Sequence, residues 1–311
     1  MTETPERVLW AYPFRPFFLS VAAYAIVLMI GWIGILAGGW PIGGRQPVIW
    51  HAHETLIGVV GAAIAGFLLT AIANWTGTRA VHGRLLVGLW LTWLAGRAAF
   101  WLGDPFGATP GGLVAAGLDL LFPAALLLIV ARILLTSGNR RNYPILGVLG
   151  LLLIADIAML FGPYGGRLGA HFGIDLVVVL MVIIGGRITP AFTRNWLIQR
   201  GRDAGQVRQQ PRLDQAAMAS TAAVALCAPL APAAWPVAIV ALLAAALNAW
   251  RLAGWATWQT RSDPLLWVLH LGYGWIVIAL ALRGGGILSD AIPANAWVHA
   301  AGVGAMGTLI L

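Results

Sequence analysis

Charge is scarce in this 311-residue sequence, at 10%, and lysine is missing altogether, so all 19 basic residues are arginine. A soluble domain carries about 25% charged residues. With 60% of the chain hydrophobic and a mean hydropathy of +0.84, too little polar surface remains to solubilise a globule. A bilayer solvates such a chain directly. Cysteine is as sparse: Cys227 stands alone, allows no internal disulfide, and sits among apolar neighbours that imply a buried, inert thiol. The sequence also lacks a phosphate-binding glycine loop, a GxSxG nucleophile elbow, a CxxCH haem-attachment site and a CxxC metal pair. The residues in excess are 16 Trp and 39 Gly. Trp favours the headgroup boundary and Gly permits close helix contacts, so both fit a membrane protein.

A spanning helix needs about 20 mostly apolar residues. Ten stretches qualify, at roughly 17–38, 54–75, 85–102, 112–135, 143–162, 169–190, 214–231, 234–253, 264–283 and 291–311. Together they predict an all-α polytopic transmembrane bundle of about ten spans, in one membrane domain over residues 1–311. The first apolar run is too long for a signal-peptide core, and Glu3, Glu6, Arg7 and Arg15 precede it, so no cleaved leader is expected. Asp263-Pro264 reads as a cap and first-turn proline, and Gly284-Gly285-Gly286 as the end of the same helix.

Arginine placement sets the orientation. With the N-terminus in the cytoplasm, the inside segments hold Arg7 and Arg15, Arg79 and Arg84, then Arg132, Arg140 and Arg141. The basic loop at about 191–213 adds five more from Arg194 to Arg212, and the next inside loop adds Arg251 and Arg261. Outside segments hold only Arg45, Arg167 and Arg283. A bias this consistent is the positive-inside rule, and it explains the net charge of +8 without a nucleic-acid partner.

Ionisable groups inside a bilayer are costly and become functional candidates by default. His51, His53, Glu54, Arg97, Asp119, Asp156, His171 and Asp175 fall in outer halves of their helices, His299 near mid-depth, and Arg187 and His270 in the inner half. A polar or metal-bearing site is therefore expected towards the outer side. Trp50-His51-Ala52-His53-Glu54 is the densest ligand cluster. Two histidines at i, i+2 serve one metal in extended structure; on a helix they diverge, leaving His51 and Glu54 on one face. An interfacial cap is the plainer alternative. Gly58, Ala62 and Gly66 form a small-residue stripe for a neighbouring helix or a flat cofactor. Trp90, Trp93, Arg97 and Trp101 share a face, and Arg97 needs an anion: Asp119, Glu54 or a ligand's carboxylate. His270 and His299, in apolar helices, need a hydrogen-bond partner or a metal. His171 and Asp175, at i, i+4, read as a carboxylate-oriented histidine or a solvated cap. His82 reads as surface.

These segments resemble the NnrS family of bacterial membrane proteins over nearly the whole chain. The resemblance rests on Pro13-Phe14-Arg15-Pro16-Phe17-Phe18, Trp50 to Glu54, Gly66-Phe67-Leu68-Leu69-Thr70 and Asn74-Trp75-Thr76-Gly77. It continues in Leu94-Ala95-Gly96-Arg97, Gly186-Arg187-Ile188-Thr189-Pro190, Phe192 to Trp196, Leu269-His270-Leu271-Gly272-Tyr273, and His299 with Gly302, Gly304 and Gly307. It implies a multi-pass inner-membrane protein containing non-covalent haem and copper, tied to nitric oxide metabolism and tolerance of nitrosative stress. It implies about twelve spans as well, with a further Arg-bearing segment and another histidine beyond Leu311, so truncation is expected there.

On this reading His51, His53, His270 and His299 are the expected metal and haem ligands. Arg97 and Arg187 are the expected anchors for haem carboxylates or a bound anion. The uneven depths suit two separate sites, and the ligand handled would be small and gaseous or anionic. The competing reading is a secondary transporter or channel for a small solute, using the outer carboxylates Asp119, Asp156 and Asp175.

Overall fold

The computed structural model describes residues 8–42, 46–107, 109–162 and 164–310. Glu3, Glu6, Arg7 and Arg45, used in the orientation argument, lie outside them. The chain is 82% helix, with no strand among the described residues. Ten helices stand where ten spans are expected: α1 (Phe14–Gly38), α2 (Pro47–Thr76), α3 (Gly83–Leu102), α4 (Pro110–Thr136), α5 (Tyr143–Phe161), α6 (Arg167–Gln199), α7 (Pro211–Cys227), α8 (Trp235–Ala253), α9 (Pro264–Leu288) and α10 (Ala296–Ile310). Eight are long and apolar enough to cross a membrane. The shorter two, α7 and α10, measure about 26 and 23 Å at 1.5 Å per residue.

Local chemistry explains the boundaries. The Asp263 carboxylate accepts from the Leu266 N–H at 3.2 Å and Pro264 fills the first turn of α9, as the sequence predicts. Thr109 caps α4 in the same way. Two boundaries and the exposure of one residue differ from expectation. The helix α6 runs through Pro190 to Gln199, because one lost N–H does not outweigh burial of the flanking turns, so the arginine-rich connection shortens to residues 200–210. The glycines 284–286 do not end α9, which continues to Leu288: a Cβ on Gly284 would lie 2.7 Å from Leu242 and 2.8 Å from the Ala238 carbonyl, so glycine is there for packing. Cys227 is exposed at the end of α7, not buried. In a lipid-facing helix, apolar neighbours mark the outside as readily as the interior.

Contacts divide the chain into two compact units, Met1–Gly173 and Ile174–Leu311. In the first, α2 is the core helix: 67% of its apolar stretch is buried, against 28–39% for α1, α3, α4 and α5. Those four present Leu19, Ile26, Leu91, Leu128 and Ile154 outward, the apolar surface a bilayer requires. In the second, α8 packs on α7 and α9, and α9 on α10.

Candidate metal centre in the first unit

The core helix α2 is not uniform. It is α-helical through His53, π-helical over Glu54–Val60 and α-helical again from Gly61. A π segment rotates the residues before it relative to those after, and such bulges concentrate at functional sites. Because α2 is surrounded on all sides, both His53 and Glu54 are fully buried although they are sequence neighbours.

Around them four further helices each contribute polar groups. His53 Nδ1 lies 3.1 Å from Glu54 Oε1; its Nε2 lies 3.0 Å from Asp119 Oδ2 on α4 and 2.9 Å from Asp156 Oδ1 on α5. Arg97 on α3 donates from Nη1 to Glu54 and from Nη2 to Asp119. The Tyr24 hydroxyl on α1 donates to Glu54 Oε2 and accepts from Trp101 Nε1 at 2.8 Å. The Phe100 ring stacks on His53 at 4.0 Å and closes that face. Two glycines allow the convergence. A Cβ on Gly58 would fall 2.6 Å from the Tyr24 ring and 3.1 Å from Arg97, and one on Gly96 would fall 3.0 Å from the Asp119 Cα. The indole of Trp93 donates to the Gly58 carbonyl at 2.9 Å, fixing α3 against the π segment.

Three carboxylates here face one guanidinium and one imidazole, all buried. With the imidazole charged, one negative charge is in excess; with it neutral, two. Asp156 Oδ2 has no hydrogen-bond partner among the described residues. Uncompensated charge is not tolerated in an apolar interior, so a proton or a cation must complete the centre. The ligand atoms of His53, Asp119 and Asp156 all lie within 4.8 Å of one another. The Nε2–oxygen separations match the roughly 3.0 Å edge between neighbouring octahedral ligands with bonds of about 2.1 Å. One nitrogen and two carboxylate oxygens form a donor set for a divalent first-row metal.

Of the residues expected at a site, His53 and Arg97 meet here, and Glu54 and Asp119 are the anions Arg97 takes, both of them among the expected partners. His51 does not join His53. The segment is already helical, so the two diverge, and His51 stacks on Trp32 at 4.3 Å. The stripe of small residues meets helix α1: Gly66 faces Phe17 and Phe18. His82 is exposed, with Nδ1 on the Ala80 carbonyl at 2.8 Å.

The remaining candidates lie in the second unit. His270 is buried, with Nε2 2.9 Å from the Thr193 hydroxyl and Nδ1 3.0 Å from that of Thr257. His299 is exposed and its Nδ1 faces the Asn295 carbonyl at 3.2 Å. Arg187 is half-buried on α6. Asp175 pairs with Arg283 at 3.0 Å, and Arg283 lies over the Trp297 ring at 3.7 Å. Gly186 gives Arg251 its place: a Cβ there would fall 2.2 Å from Nη2. Arg251 donates to Asp214 at 2.7 Å and to the Tyr273 hydroxyl at 2.7 Å.

Sequence reasoning missed Tyr24 altogether and did not join Asp156 to His53. Asp119 and Asp156 are 66 and 103 residues from His53. The one available signal was a single carboxylate in each of two otherwise apolar helices.

No curated protein and no solved structure matches the chain. One family model does, the one described as NnrS protein, over residues 8–311. That is nearly the full sequence, so the chain belongs to the NnrS family.

Proposed function

We propose that this chain is a metal-binding protein of the bacterial inner membrane, with a cytoplasmic N-terminus, that acts in nitric oxide metabolism or tolerance of nitrosative stress. Its metal is held by His53, Asp119 and Asp156. The observation that carries the reading is the excess negative charge of a fully buried centre. A divalent ion on those ligands, beside neutral His53 and charged Arg97, brings the total to zero. Membership of the NnrS family supports the link to nitric oxide.

Copper and haem are the two groups the family implies, and the residues treat them differently. Copper as a divalent ion accepts imidazole nitrogen and carboxylate oxygen, so it fits the His53 centre. Haem does not fit there. Its iron would need a free imidazole nitrogen, but the His53 Nε2 is turned onto two carboxylates and Phe100 covers the ring. His270 does not fit either, since hydroxyl groups meet both its nitrogens. His299 fits better: Nδ1 faces a carbonyl, the bond that orients a metal-binding imidazole, and Nε2 is left for iron.

Bound, such metals supply the coordination and one-electron chemistry open to nitric oxide. The chain's own part is positioning. Arg97 holds the Glu54 and Asp119 carboxylates apart from each other, Tyr24 orients Glu54, and Phe100 with Trp93 keeps water out. Expression in a bacterium lacking its own copy, challenged with a nitric oxide donor, tests the proposal. Wild type and His82→Ala restore growth, while His53→Ala and Asp156→Asn do not. Equal protection by Asp156→Asn contradicts it. The unpartnered Asp156 Oδ2 also suits a proton-coupled transporter; solute flux lost in Asp→Asn variants, with metal content unchanged, would favour that reading instead.

A further inference from the structure

The second unit contains a cavity of about 450 Å³ lined by the α6–α7 connection, the α8–α9 connection and the ends of α7 and α8. It owes nothing to the buried centre of the first unit. The two connections are tied across it: the Arg208 N–H donates to the Gly254 carbonyl at 2.8 Å, and the Gln259 amide donates to Gln206. One wall carries Ala256 at φ +54°, the one non-glycine residue in the left-handed region among those described. Backbone held in a conformation its side chain disfavours clusters at ligand sites, where the surroundings hold it in place. Here Thr257, the next residue, is fastened to buried His270.

The lining chemistry specifies a ligand. Arg208 and Arg251 are set against one carboxylate, Asp214, which Arg251 already takes through Nε. Arg208 makes no ion pair among the described residues, so the cavity is net positive. Gln206, Gln210 and Gln259 add amide donors and acceptors, and the exposed Trp250 adds flat apolar surface, while the Trp255 ring is buried against Tyr273. A cavity of this volume, mixing an aromatic wall with a few polar groups, is the size that holds a small organic ligand.

We propose that this cavity binds a small organic anion with a planar ring, which reaches it from the side of the arginine-rich connection. The positive field of Arg200, Arg202, Arg208 and Arg212 draws the anion in, Arg208 meets its charge, and the glutamine amides meet its ring edge.

Thermal unfolding of the purified full chain tests this, with adenosine 5′-monophosphate as the probe and adenosine and inorganic phosphate as its two halves. The nucleotide raises the melting temperature saturably at millimolar concentration, and neither half does so alone. Arg208→Ala and Gln210→Ala, both exposed and away from the membrane core, keep the wild-type melting temperature without ligand. Each weakens the apparent affinity about tenfold, as loss of a charge-assisted or amide hydrogen bond does. No shift with the nucleotide, an equal shift with phosphate alone, or unchanged affinity in both variants overturns the proposal.

Discussion

Asp156 separates the metal reading from a purely structural one. Its Oδ1 faces His53 while its Oδ2 has no hydrogen-bond partner among the described residues, so it adds charge to the centre that Arg97 does not take up directly. Asp156→Asn keeps the shape and removes that charge. The metal-free variant is therefore expected to unfold about 1–3 kcal/mol later than metal-free wild type, the scale of an unsatisfied buried group. Metal binding is lost at the same time, so chelator-treated samples in urea or heat show the gain and metal-loaded ones reverse it. Arg97→Met has the opposite effect. It strands Glu54 and Asp119 and costs about 3–5 kcal/mol, the range for breaking one side of a buried pair. Ala256 gives a third test. Its left-handed backbone costs about 1–2 kcal/mol with a side chain present, so Ala256→Gly raises stability or leaves it level, whereas Ala256→Val lowers it. None of these three roles is written in the residue's immediate neighbours. Asp156 stands in an apolar run, and only packing of α5 on the other helices gives it His53.

The helices themselves were largely legible. Long apolar runs, Asp263-Pro264 and the alternation of arginine-rich loops follow directly from the cost of placing charge and open backbone in lipid. What was not legible was how the elements deviate internally. Pro190 and Gly284-Gly285-Gly286 look like stops but are packed through. The π segment Glu54–Val60 has no composition of its own, and Gly58 within it leaves room for Tyr24 and Arg97. That segment is testable as an element. Deleting Val59 returns α2 to regular α-helix and turns His53 and Glu54 by about 100° relative to the turns after it. The variant is expected to insert but not to bind metal. Gly58→Ala leaves the register intact and pushes on Tyr24 instead, and a milder loss of metal affinity separates steric from register effects.

At the scale of the molecule, the orientation rests on arginine placement, and Cys227 makes it simple to check. In a Cys227→Ser background, single cysteines at Asp104 and Asp290 are expected to react with a membrane-impermeant maleimide on intact spheroplasts. Cysteines at Ser137 and Arg202 are expected to react only after lysis; the reverse pattern would invert the topology. The separation of His53 from His270 was legible in their depths, but which of the two has carboxylate partners was not, since Asp119 and Asp156 come from other helices. The structure gives His53 three carboxylates and His270 two hydroxyl groups. On this reading the carboxylate-bound histidine, His53, is the one that holds a metal ion. Metal analysis of the purified full chain, wild type beside Asp156→Asn and His270→Ala, checks this. About one divalent ion per chain is expected at the centre, lost in Asp156→Asn and kept in His270→Ala. Equal metal content in wild type and Asp156→Asn would contradict it.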